Sequence, residues 1–408
     1  MYLCLSKNKV PMKTIKDFDF TGKKALIRVD FNVPMDNDKK VTDVTRIQAA
    51  KPSIDYILEN GGTCVLMSHL GRPNGKEEGL SLKHIVNSVS DVLGVPVVFI
   101  EDCIGEEVQQ KIKSLPSGSV ALLENLRYYE EEQKGDKAFA ESLSKNGDIY
   151  VNDAFGTAHR KHASTAVVAE YFGSNVCFGN LLASEIESIN KVLHDNNKPV
   201  TAIIGGAKVS SKITVIENVL DAIDHLIIGG GMAFTFLKAQ GAEVGSSLVE
   251  DDKMQVALQV LKKAKEKNVE VHLPIDVIAA DSFSNDANKQ TVLSKSIPEG
   301  WMGLDNGPKS NDAFRKVILE SKTILWNGPV GVFEMSSFEE GTKAIGQAIA
   351  DATKNGAFSL VGGGDSVAAA KQFGFTESMS YISTGGGAML EMLEGKDLPG
   401  IVAIQNAK

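Results

Sequence analysis

Short apolar runs alternate with longer stretches of helical periodicity along most of the 408-residue chain. This alternation is typical of α/β proteins built on parallel sheets. In the first half, the apolar runs predict strands at 25–29, 63–67, 119–123 and 148–151, and each passes directly into polar residues. Ligands of parallel sheets bind beyond the carboxyl ends of the strands, so these four polar clusters should meet along one edge.

The second half repeats the strand pattern but follows each strand with glycines rather than polar side chains. Strands are predicted at 201–204, 225–228, 359–361 and 381–383, and each leads into a glycine-rich turn and then a helix. Glycine lets the backbone approach a ligand closely, and a helix N-terminus presents unpaired N–H groups with partial positive charge. This half therefore predicts a phosphate-binding edge.

A helical stretch separates the two halves. Apolar residues recur at Leu182, Ile186, Ile189 and Leu193, and a polar segment ends the helix before Pro199. The length exceeds what one hydrophobic core usually supports. We therefore predict an α/β protein with two Rossmann-like parallel-sheet domains flanked by helices, at 12–183 and 200–396. An interdomain helix and hinge at 184–199 should join them.

Composition narrows the class of protein. The net charge of −9 argues against a general nucleic-acid binder, and no apolar run approaches the ~20 residues of a membrane span. The four cysteines are scattered, which indicates inert thiols in a reducing compartment and hence a cytoplasmic location. Ordered sequence is expected to begin at Met12, which we interpret as the natural start.

Candidate phosphate ligands follow the glycine-rich turns. Lys208 and Lys212 lie four residues apart at a predicted helix start, a spacing that would place both on one face. Asp365 follows three glycines and suits either Mg²⁺ coordination or an N-cap. Glu334, in a predicted loop at 326–334, fits either a ribose contact or an ordinary surface position. The P-loop motif is absent, and no G-x-G-x-x-G fingerprint is complete.

Basic side chains concentrate after the strands of the first half. Arginine recognises phosphate and carboxylate groups through paired hydrogen bonds. Several cations on one edge would repel each other unless an anion lay between them. For His69, a buried position in the core is the alternative interpretation. The cluster comprises Arg46, His69, Arg72, Arg127 and Arg160.

At this point the motifs resemble those of phosphoglycerate kinases over nearly the whole chain from Met12. In the first half they are the segments 28–34 (RVDFNVP), 68–73 (SHLGRP), 123–127 (LENLR) and 152–160 (NDAFGTAHR). In the second half they are 205–209 (GGAKV), 229–232 (GGGM), 326–329 (WNGP), 362–366 (GGGDS) and 383–388 (STGGGA).

The resemblance implies two ligand sites and a C-terminal segment at 397–408 that packs back on the first domain. The residues implied for 3-phosphoglycerate or 1,3-bisphosphoglycerate are Asp30, Phe31, Asn32, Arg46, His69, Leu70, Gly71, Arg72, Arg127 and Arg160. Those implied for ADP or ATP are Lys208, Lys212, Gly229, Gly230, Gly303, Pro329, Glu334, Gly362, Gly363, Gly364, Asp365 and Ser366. Asp365 would also hold the Mg²⁺ that accompanies the nucleotide.

The implied reaction is reversible transfer of the acyl phosphate of 1,3-bisphosphoglycerate to MgADP, a step of glycolysis and gluconeogenesis. Both nucleophiles are oxyanions, so no general base is required, and the expected demands are positioning, charge neutralisation and domain closure. Catalysis is expected from Arg46, Lys208, Gly364 and Gly385, and a monomer is the family expectation.

Two other functions make different demands on the sequence. An NAD-dependent dehydrogenase would need the complete glycine fingerprint that the sequence lacks. A non-catalytic nucleotide-binding protein of the same fold is expected to have lost at least one of the key charged residues. All of these are present, namely Arg46, Lys208, Lys212 and Asp365.

Overall fold

The computed structural model describes residues 12–407 of the chain. The tail expected at residues 1–11, together with Cys4, lies outside the described residues. Contacts divide the chain into two compact units, one ending at Ile186 and resuming at Asp397, the other spanning Glu187–Lys396. Among the described residues, no helix combines the length and the apolar character that crossing a membrane would need.

The first unit is built on a six-stranded parallel sheet with the order β3-β4-β2-β1-β5-β6. Its strands are β1 Lys24–Arg28, β2 Thr63–Met67, β3 Val97–Ile100, β4 Val120–Leu123, β5 Ile149–Asn152 and β6 Val176–Phe178. The helices are α1 Thr45–Glu59, α2 Val86–Leu93, α3 Glu106–Lys113, α4 Glu130–Lys134 and α5 Lys137–Ser144. The four predicted strands are β1, β2, β4 and β5, whereas β3 and β6 are additional strands at the two sheet edges.

Apolar side chains on both faces of this sheet explain why its central strands read as continuous hydrophobic runs. Every residue of β2 and of β4 is buried. Helix α1 buries Ile47, Ile54 and Ile57 in the same core cluster as the β1 residue Ile27. The apolar interior thus fixes the sheet, and the polar residues that follow each strand are left at its carboxyl edge.

Helix α6, Asn180–Leu193, carries the chain from the first unit to the second. The predicted helical spacing between Leu182 and Leu193 therefore lies within one observed helix, and the division between the units falls at Ile186 inside it.

The second unit has its own six-stranded parallel sheet with the order β10-β8-β7-β15-β16-β17. Its strands are β7 Val200–Ile204, β8 His225–Ile228, β9 Glu243–Val244, β10 Glu270–His272, β11 Asp276–Ala280, β12 Lys289–Leu293, β13 Ser296–Ile297, β14 Met302–Asn306, β15 Thr323–Asn327, β16 Phe358–Val361 and β17 Tyr381–Ile382. Its helices are α7 Ile213–Val219, α8 Met232–Ala239, α9 Met254–Glu266, α10 Pro308–Glu320, α11 Glu340–Lys354, α12 Gly364–Gln372 and α13 Gly386–Leu393.

Strand β10 of this sheet was not predicted, and the predicted loop at 326–334 starts too early because Trp326 and Asn327 belong to β15. Two smaller features were also not predicted from the sequence. Strands β12, β11 and β14 form a small antiparallel sheet, and β13 pairs with β9. The observed fold is still the predicted one, with two parallel-sheet units flanked by helices.

The last helix, α14 Pro399–Gln405, packs on the first unit. The Gly400 N–H donates to Ala158 O at 2.9 Å, and the Asn152 side-chain amide donates to Gly400 O at 3.3 Å. A Cβ at Gly400 would lie 2.9 Å from the Thr165 methyl carbon, so glycine is what permits this close approach. The chain therefore returns to its first unit after completing the second.

The cysteine prediction can be checked at three positions. Cys64, Cys103 and Cys177 are buried free thiols. Burial raises the pKa of each of these thiols above its ordinary value, which keeps them protonated and unreactive. The expectation of inert thiols is confirmed for these three.

Candidate active site

Asp30 and Arg46 form an ion pair at the carboxyl edge of the first sheet. Asp30 follows β1, and Arg46 is the second residue of α1. Arg46 Nη1 donates to Asp30 Oδ2 at 2.7 Å, while the Arg46 side chain stays 40% exposed. The carboxylate holds the guanidinium at the edge of the sheet, and the exposed part of the guanidinium remains accessible to a ligand.

His69 lies deep in the same region and is 3% exposed. Its Nδ1 is 3.2 Å from Arg28 Nη2 and 3.9 Å from Asp30 Oδ1. Burial, together with the charges of Arg28, Arg127, Arg160 and Arg46, holds the pKa of His69 well below its ordinary value. The ring is therefore neutral near pH 7, and Nδ1 accepts from Arg28. The buried position considered for His69 and its place among the arginines are both observed.

Gly71 connects two further predicted ligands through its backbone. Its N–H donates to Asn32 Oδ1 at 2.8 Å, and its carbonyl accepts from Arg127 Nη1 at 2.6 Å. Gly71 adopts a φ of +63°, and an added Cβ would meet the Leu80 side chain at 2.8 Å. Glycine is therefore required for a turn that holds both Asn32 and Arg127 in place.

Arg127 carries its charge in an unfavourable environment. The residue is 5% exposed, and its Nε is buried without a hydrogen-bond partner among the described residues. Burial, followed by repulsion from Arg160 and Arg28, lowers the pKa of Arg127 from 12.5 to about 10. The same arginines, after burial, lower the pKa of His162 to about 4. Asp30 and Glu132 offset part of this positive charge, but the net effect on Arg127 is still unfavourable to its charged form.

The other predicted residues of this site occupy the same loops. The Phe31 N–H donates to Ser68 Oγ at 2.8 Å, and the Leu70 N–H donates to Asn125 Oδ1 at 3.2 Å. Arg160 Nε contacts His159 Nε2 at 3.2 Å. Arg72 is exposed, one residue beyond Gly71. The structure thus places all ten predicted residues in the loops beyond β1, β2, β4 and β5 or at the start of α1.

A separate cavity of about 730 Å³ opens at the carboxyl edge of the second unit's sheet. Its walls combine backbone from the glycine-rich turns with apolar side chains from the small antiparallel sheet and nearby loops. Five predicted nucleotide ligands line it, namely Gly230, Gly303, Pro329, Glu334 and Asp365. Gly229 lies behind Gly230, where an added Cβ would meet the Val330 side chain at 2.4 Å.

Gly303 and Phe234 define one wall of this cavity. A Cβ on Gly303 would lie 2.2 Å from Phe234 Cζ, so only glycine lets this ring pack against β14. Phe234 is 4% exposed and cannot move aside easily. Leu248 and Phe283 add exposed apolar surface to the lining, at 48% and 63% exposed. Such a wall suits a flat, largely apolar group.

Lys208 and Lys212 both lie at this edge, but the prediction that they share one face of a helix is wrong. Lys208 has extended dihedral angles, a 3₁₀ turn at Val209–Ser211 follows it, and α7 begins only after Lys212. They therefore do not share a face of one α-helix. Lys212 Nζ instead donates to Asn327 Oδ1 at 2.6 Å. Lys208 is exposed. Burial lowers the pKa of Lys212, and the charges of Asp365 and Glu394 oppose that change.

The turn before α12 presents the start of a helix to solvent. Gly363 occupies the N-cap with a φ of +93° and no side-chain cap, so the alternative interpretation of Asp365 as an N-cap is wrong. Asp365 lies in the first helical turn and is exposed. An added Cβ on Gly364 would meet nothing within 4 Å. The backbone here is open to a ligand.

Other groups of the predicted set already have partners within the protein. The Gly362 N–H donates to Trp326 O at 3.0 Å, and Ser366 Oγ accepts from the Gly328 N–H at 2.5 Å. The Gly385 N–H donates to Ser383 Oγ at 3.1 Å. Gly362, Ser366 and Gly385 therefore hold the turns in shape, and a ligand would have to compete for the Gly385 N–H.

Comparison with known proteins gives the decisive observation. The sequence model of the family described as "Phosphoglycerate kinase" matches residues 15–396. The chain belongs to the phosphoglycerate kinase family. It is accordingly a phosphotransferase with a glycolytic function, and the family's substrates are phosphoglycerates and adenine nucleotides.

Individual relatives agree over the full length. "Phosphoglycerate kinase" of Porphyromonas gingivalis is 52% identical, with 96% of this chain and 100% of that protein covered. "Phosphoglycerate kinase 3, cytosolic" of Arabidopsis thaliana is 51% identical, with 97% and 98% covered. The solved phosphoglycerate kinase of Coxiella burnetii has a TM-score of 0.90 at 41% identity, covering 98% of this chain and 100% of that one. That of Pyrococcus horikoshii has a TM-score of 0.79 at 32% identity, covering 97% and 98%.

Three residues with clear structural importance were missed as site residues. Arg28 is 1% exposed and donates through Nε to Ser164 Oγ at 2.8 Å. The Asn125 side chain accepts from the Leu70 N–H and donates to the Leu70 carbonyl. The Asn327 side chain accepts from Lys212 Nζ and donates to the Gly362 carbonyl. A detectable signal was present, because each is a polar residue that ends or closely follows a buried strand.

Proposed function

We propose that this chain transfers the acyl phosphate of 1,3-bisphosphoglycerate to MgADP, and that it binds the phosphoglycerate on its first unit and the nucleotide on its second. Membership of the phosphoglycerate kinase family supports the reaction. The observation that supports assigning the phosphoglycerate to the first unit is its arginine cluster, in which burial and then the neighbouring arginine charges lower the pKa of Arg127 and of His162. An anionic ligand would relieve that repulsion.

On the first unit, the phosphoglycerate phosphate and carboxylate are assigned to the arginines and to the loops that hold them. Arg127 has a buried N–H without a partner, and Arg46 keeps an exposed edge beside Asp30. Arg72 and Arg160 supply further charge from adjoining loops. Asn32 and His69 are neutral and orient the substrate through hydrogen bonds.

On the second unit, the adenosine is assigned to the cavity lined by Gly230, Gly303 and Pro329, with Glu334 at the ribose. The apolar lining and the exposed carboxylate of Glu334 support this assignment. The phosphates are assigned to Lys208, Lys212 and the open backbone that begins α12. Positive charge at a helix N-terminus favours phosphate oxygens.

Asp365 fits the proposed magnesium site. Its carboxylate is exposed in the first turn of α12 and lines the nucleotide cavity, and carboxylate oxygen is a ligand that Mg²⁺ accepts. When bound, the ion would offset negative charge on the nucleotide phosphates. The protein's own contribution is Lys212, which Asn327 Oδ1 holds on the same edge.

The transfer step itself needs positioned positive charge rather than proton abstraction. The attacking ADP oxygen and the departing carboxylate are both stable anions, so no side chain has to remove or supply a proton. Arg46 and Lys208 are assigned to the transferring group, assisted by the N–H groups of Gly364 and Gly385. Because the ligands bind to different units, closure of the units would gate turnover.

A coupled assay with 3-phosphoglycerate and MgATP tests the activity directly. Arg46→Ala should lower kcat by at least ~100-fold, on the scale of losing one preorganised charged donor. Arg315→Ala is the matched control, since Arg315 pairs with Asp351 at 2.7 Å on a surface of the second unit. A fall in kcat of less than about tenfold, equivalent to ~1.4 kcal/mol, would exclude Arg46 from the transition state.

The closure hypothesis has its own measurement. Small-angle scattering should report a smaller radius of gyration when 3-phosphoglycerate and a non-hydrolysable MgATP analogue are both bound than with either alone. An unchanged radius would count against closure. The expected monomeric state and cytoplasmic location stay predictions, and the same scattering data provide the molecular mass.

A further inference from the structure

Two histidines and a glutamate converge on one face of the second unit's sheet, and none of the three lines the nucleotide cavity. His225 begins β8, and Glu270 and His272 are the first and last residues of β10. The parallel register pairs Glu270 with His225. Side chains alternate along a strand, so His272, two residues on, faces the same side as Glu270. The backbone pairing of two strands therefore fixes the arrangement.

Two of the distances within this trio are close to those between ligands of one ion. His225 Nδ1 lies 3.2 Å from His272 Nε2 and 3.5 Å from Glu270 Oε2. One ligand atom from each residue can be chosen so that all three lie within 4.8 Å of one another. Two tetrahedral ligands with bonds of 2.0–2.1 Å are roughly 3.4 Å apart. Within residues 12–407, this is the one group of three His, Cys, Asp or Glu side chains whose ligand atoms all lie within 4.8 Å of one another.

We propose that His225, Glu270 and His272 bind a Zn²⁺-class transition-metal ion. Imidazole nitrogens with a single carboxylate favour zinc and its neighbours over Mg²⁺ or Ca²⁺, which prefer oxygen ligands alone. Glu270 is exposed and both histidines are partly exposed, so a water molecule can complete the coordination. The neighbouring Asp224 carboxylate is committed to Lys198 Nζ and the Val200 N–H, each at 2.8 Å.

This site is separate from the proposed magnesium site at Asp365. His225 stands at the amino end of β8, and Gly229 follows the carboxyl end of the same strand. Four residues of strand cover about 13 Å. The ion would cross-link edge strand β10 to β8, and its effect would be on the stability of the sheet rather than on phosphoryl transfer.

The test uses the full chain without nucleotide, titrated separately with Co²⁺ and Zn²⁺. Visible absorption by Co²⁺ reports its coordination number, and calorimetry gives the Zn²⁺ stoichiometry and Kd. We expect one ion per chain, four-coordinate Co²⁺ bands, and a Tm that rises with Zn²⁺ because the ion binds only the folded state. His225→Gln and His272→Gln should each weaken binding at least about tenfold, since even outer-shell partners of metal ligands matter by 10–100-fold.

Controls separate this site from general surface binding and from misfolding. His194→Gln changes another exposed histidine and should leave metal binding unchanged. His225→Gln and His272→Gln should retain the kinase activity and the metal-free Tm of the original chain, which shows that they fold. No saturable Zn²⁺ binding, or binding that neither histidine substitution weakens, would overturn the proposal and leave a simple hydrogen bond between the two rings.

Discussion

Replacing Arg127 with methionine should separate the effect of its buried charge on folding stability from its effect on 3-phosphoglycerate binding. The fall in the pKa of Arg127 from 12.5 to about 10 corresponds to about 3 kcal/mol of unfavourable free energy for keeping the group charged. Methionine fills a similar volume without charge. Removing the charge should therefore stabilise the fold. The substitution also removes the hydrogen bond from Arg127 Nη1 to Gly71 O, which is worth about 1.5–3 kcal/mol for a charged donor. The two effects nearly cancel.

We therefore expect the free energy of unfolding of ligand-free Arg127→Met to lie within about 1–2 kcal/mol of the original value. Binding should respond quite differently. At 3-phosphoglycerate one hundred times its Kd, the original chain gains about 2.7 kcal/mol of stability. Loss of a buried charged contact costs 2–5 kcal/mol of affinity, so the variant should gain less than about 1 kcal/mol at the same concentration.

Urea unfolding, followed with and without 3-phosphoglycerate, measures both quantities. Arg315→Met serves as the control, because it removes a surface arginine from an ion pair on α10 and should keep the full ligand effect. The reasoning is refuted if Arg127→Met is destabilised by more than about 3 kcal/mol and still gains the full stabilisation from the ligand. That outcome would make Arg127 a structural residue.

Three further predictions concern single groups. Gly303→Ala places a Cβ 2.2 Å from Phe234 Cζ, so about 1–3 kcal/mol of overpacking should weaken ADP binding roughly tenfold, while the stabilisation by 3-phosphoglycerate stays the same. Burial raises the pKa of Asp305 to about 7, so the folded state binds its proton more tightly than the unfolded state. Stability should therefore fall as pH rises from about 4 to about 7, and urea unfolding of Asp305→Asn should show a weaker fall. The pKa of His162, about 4 because of burial and the nearby arginines, should rise when 3-phosphoglycerate binds; an unchanged NMR titration would argue against an anion at this site.

The sequence predicted most of the central strands and the edge at which ligands would bind, because buried parallel strands are visible as continuous apolar runs. Strand β3 was missed since Val97–Ile100 is partly exposed and lies at an edge of the sheet. The small antiparallel sheet was missed only in part for a similar reason, since most residues of its strands β11 and β14 are buried. Its strand β12 is almost entirely exposed and therefore gives little hydrophobic signal.

Charged residues proposed to contact the ligands were easier to select from the sequence than residues that act through another side chain. Arg127 was selected because several cations on one edge would repel each other without an anion, and Asp365 because it follows three glycines at a helix start. Asn327 was not found, because its role depends on reaching Lys212 Nζ and Gly362 O simultaneously. A contact between positions more than 100 residues apart cannot be read from local pattern.

The return of the chain to its first unit sets an order for folding during synthesis. The ribosome makes about 210 residues of the second unit between Ile186 and Asp397, and only then supplies helix α14. At 5–20 residues per second, this interval lasts about 10–40 s. During this interval Ala158 and Thr165 have already been synthesised but α14 has not. The surface around these two residues, which α14 covers in the finished fold, is therefore exposed. Binding partners of that surface during translation, such as chaperones, would have to leave before the last helix docks.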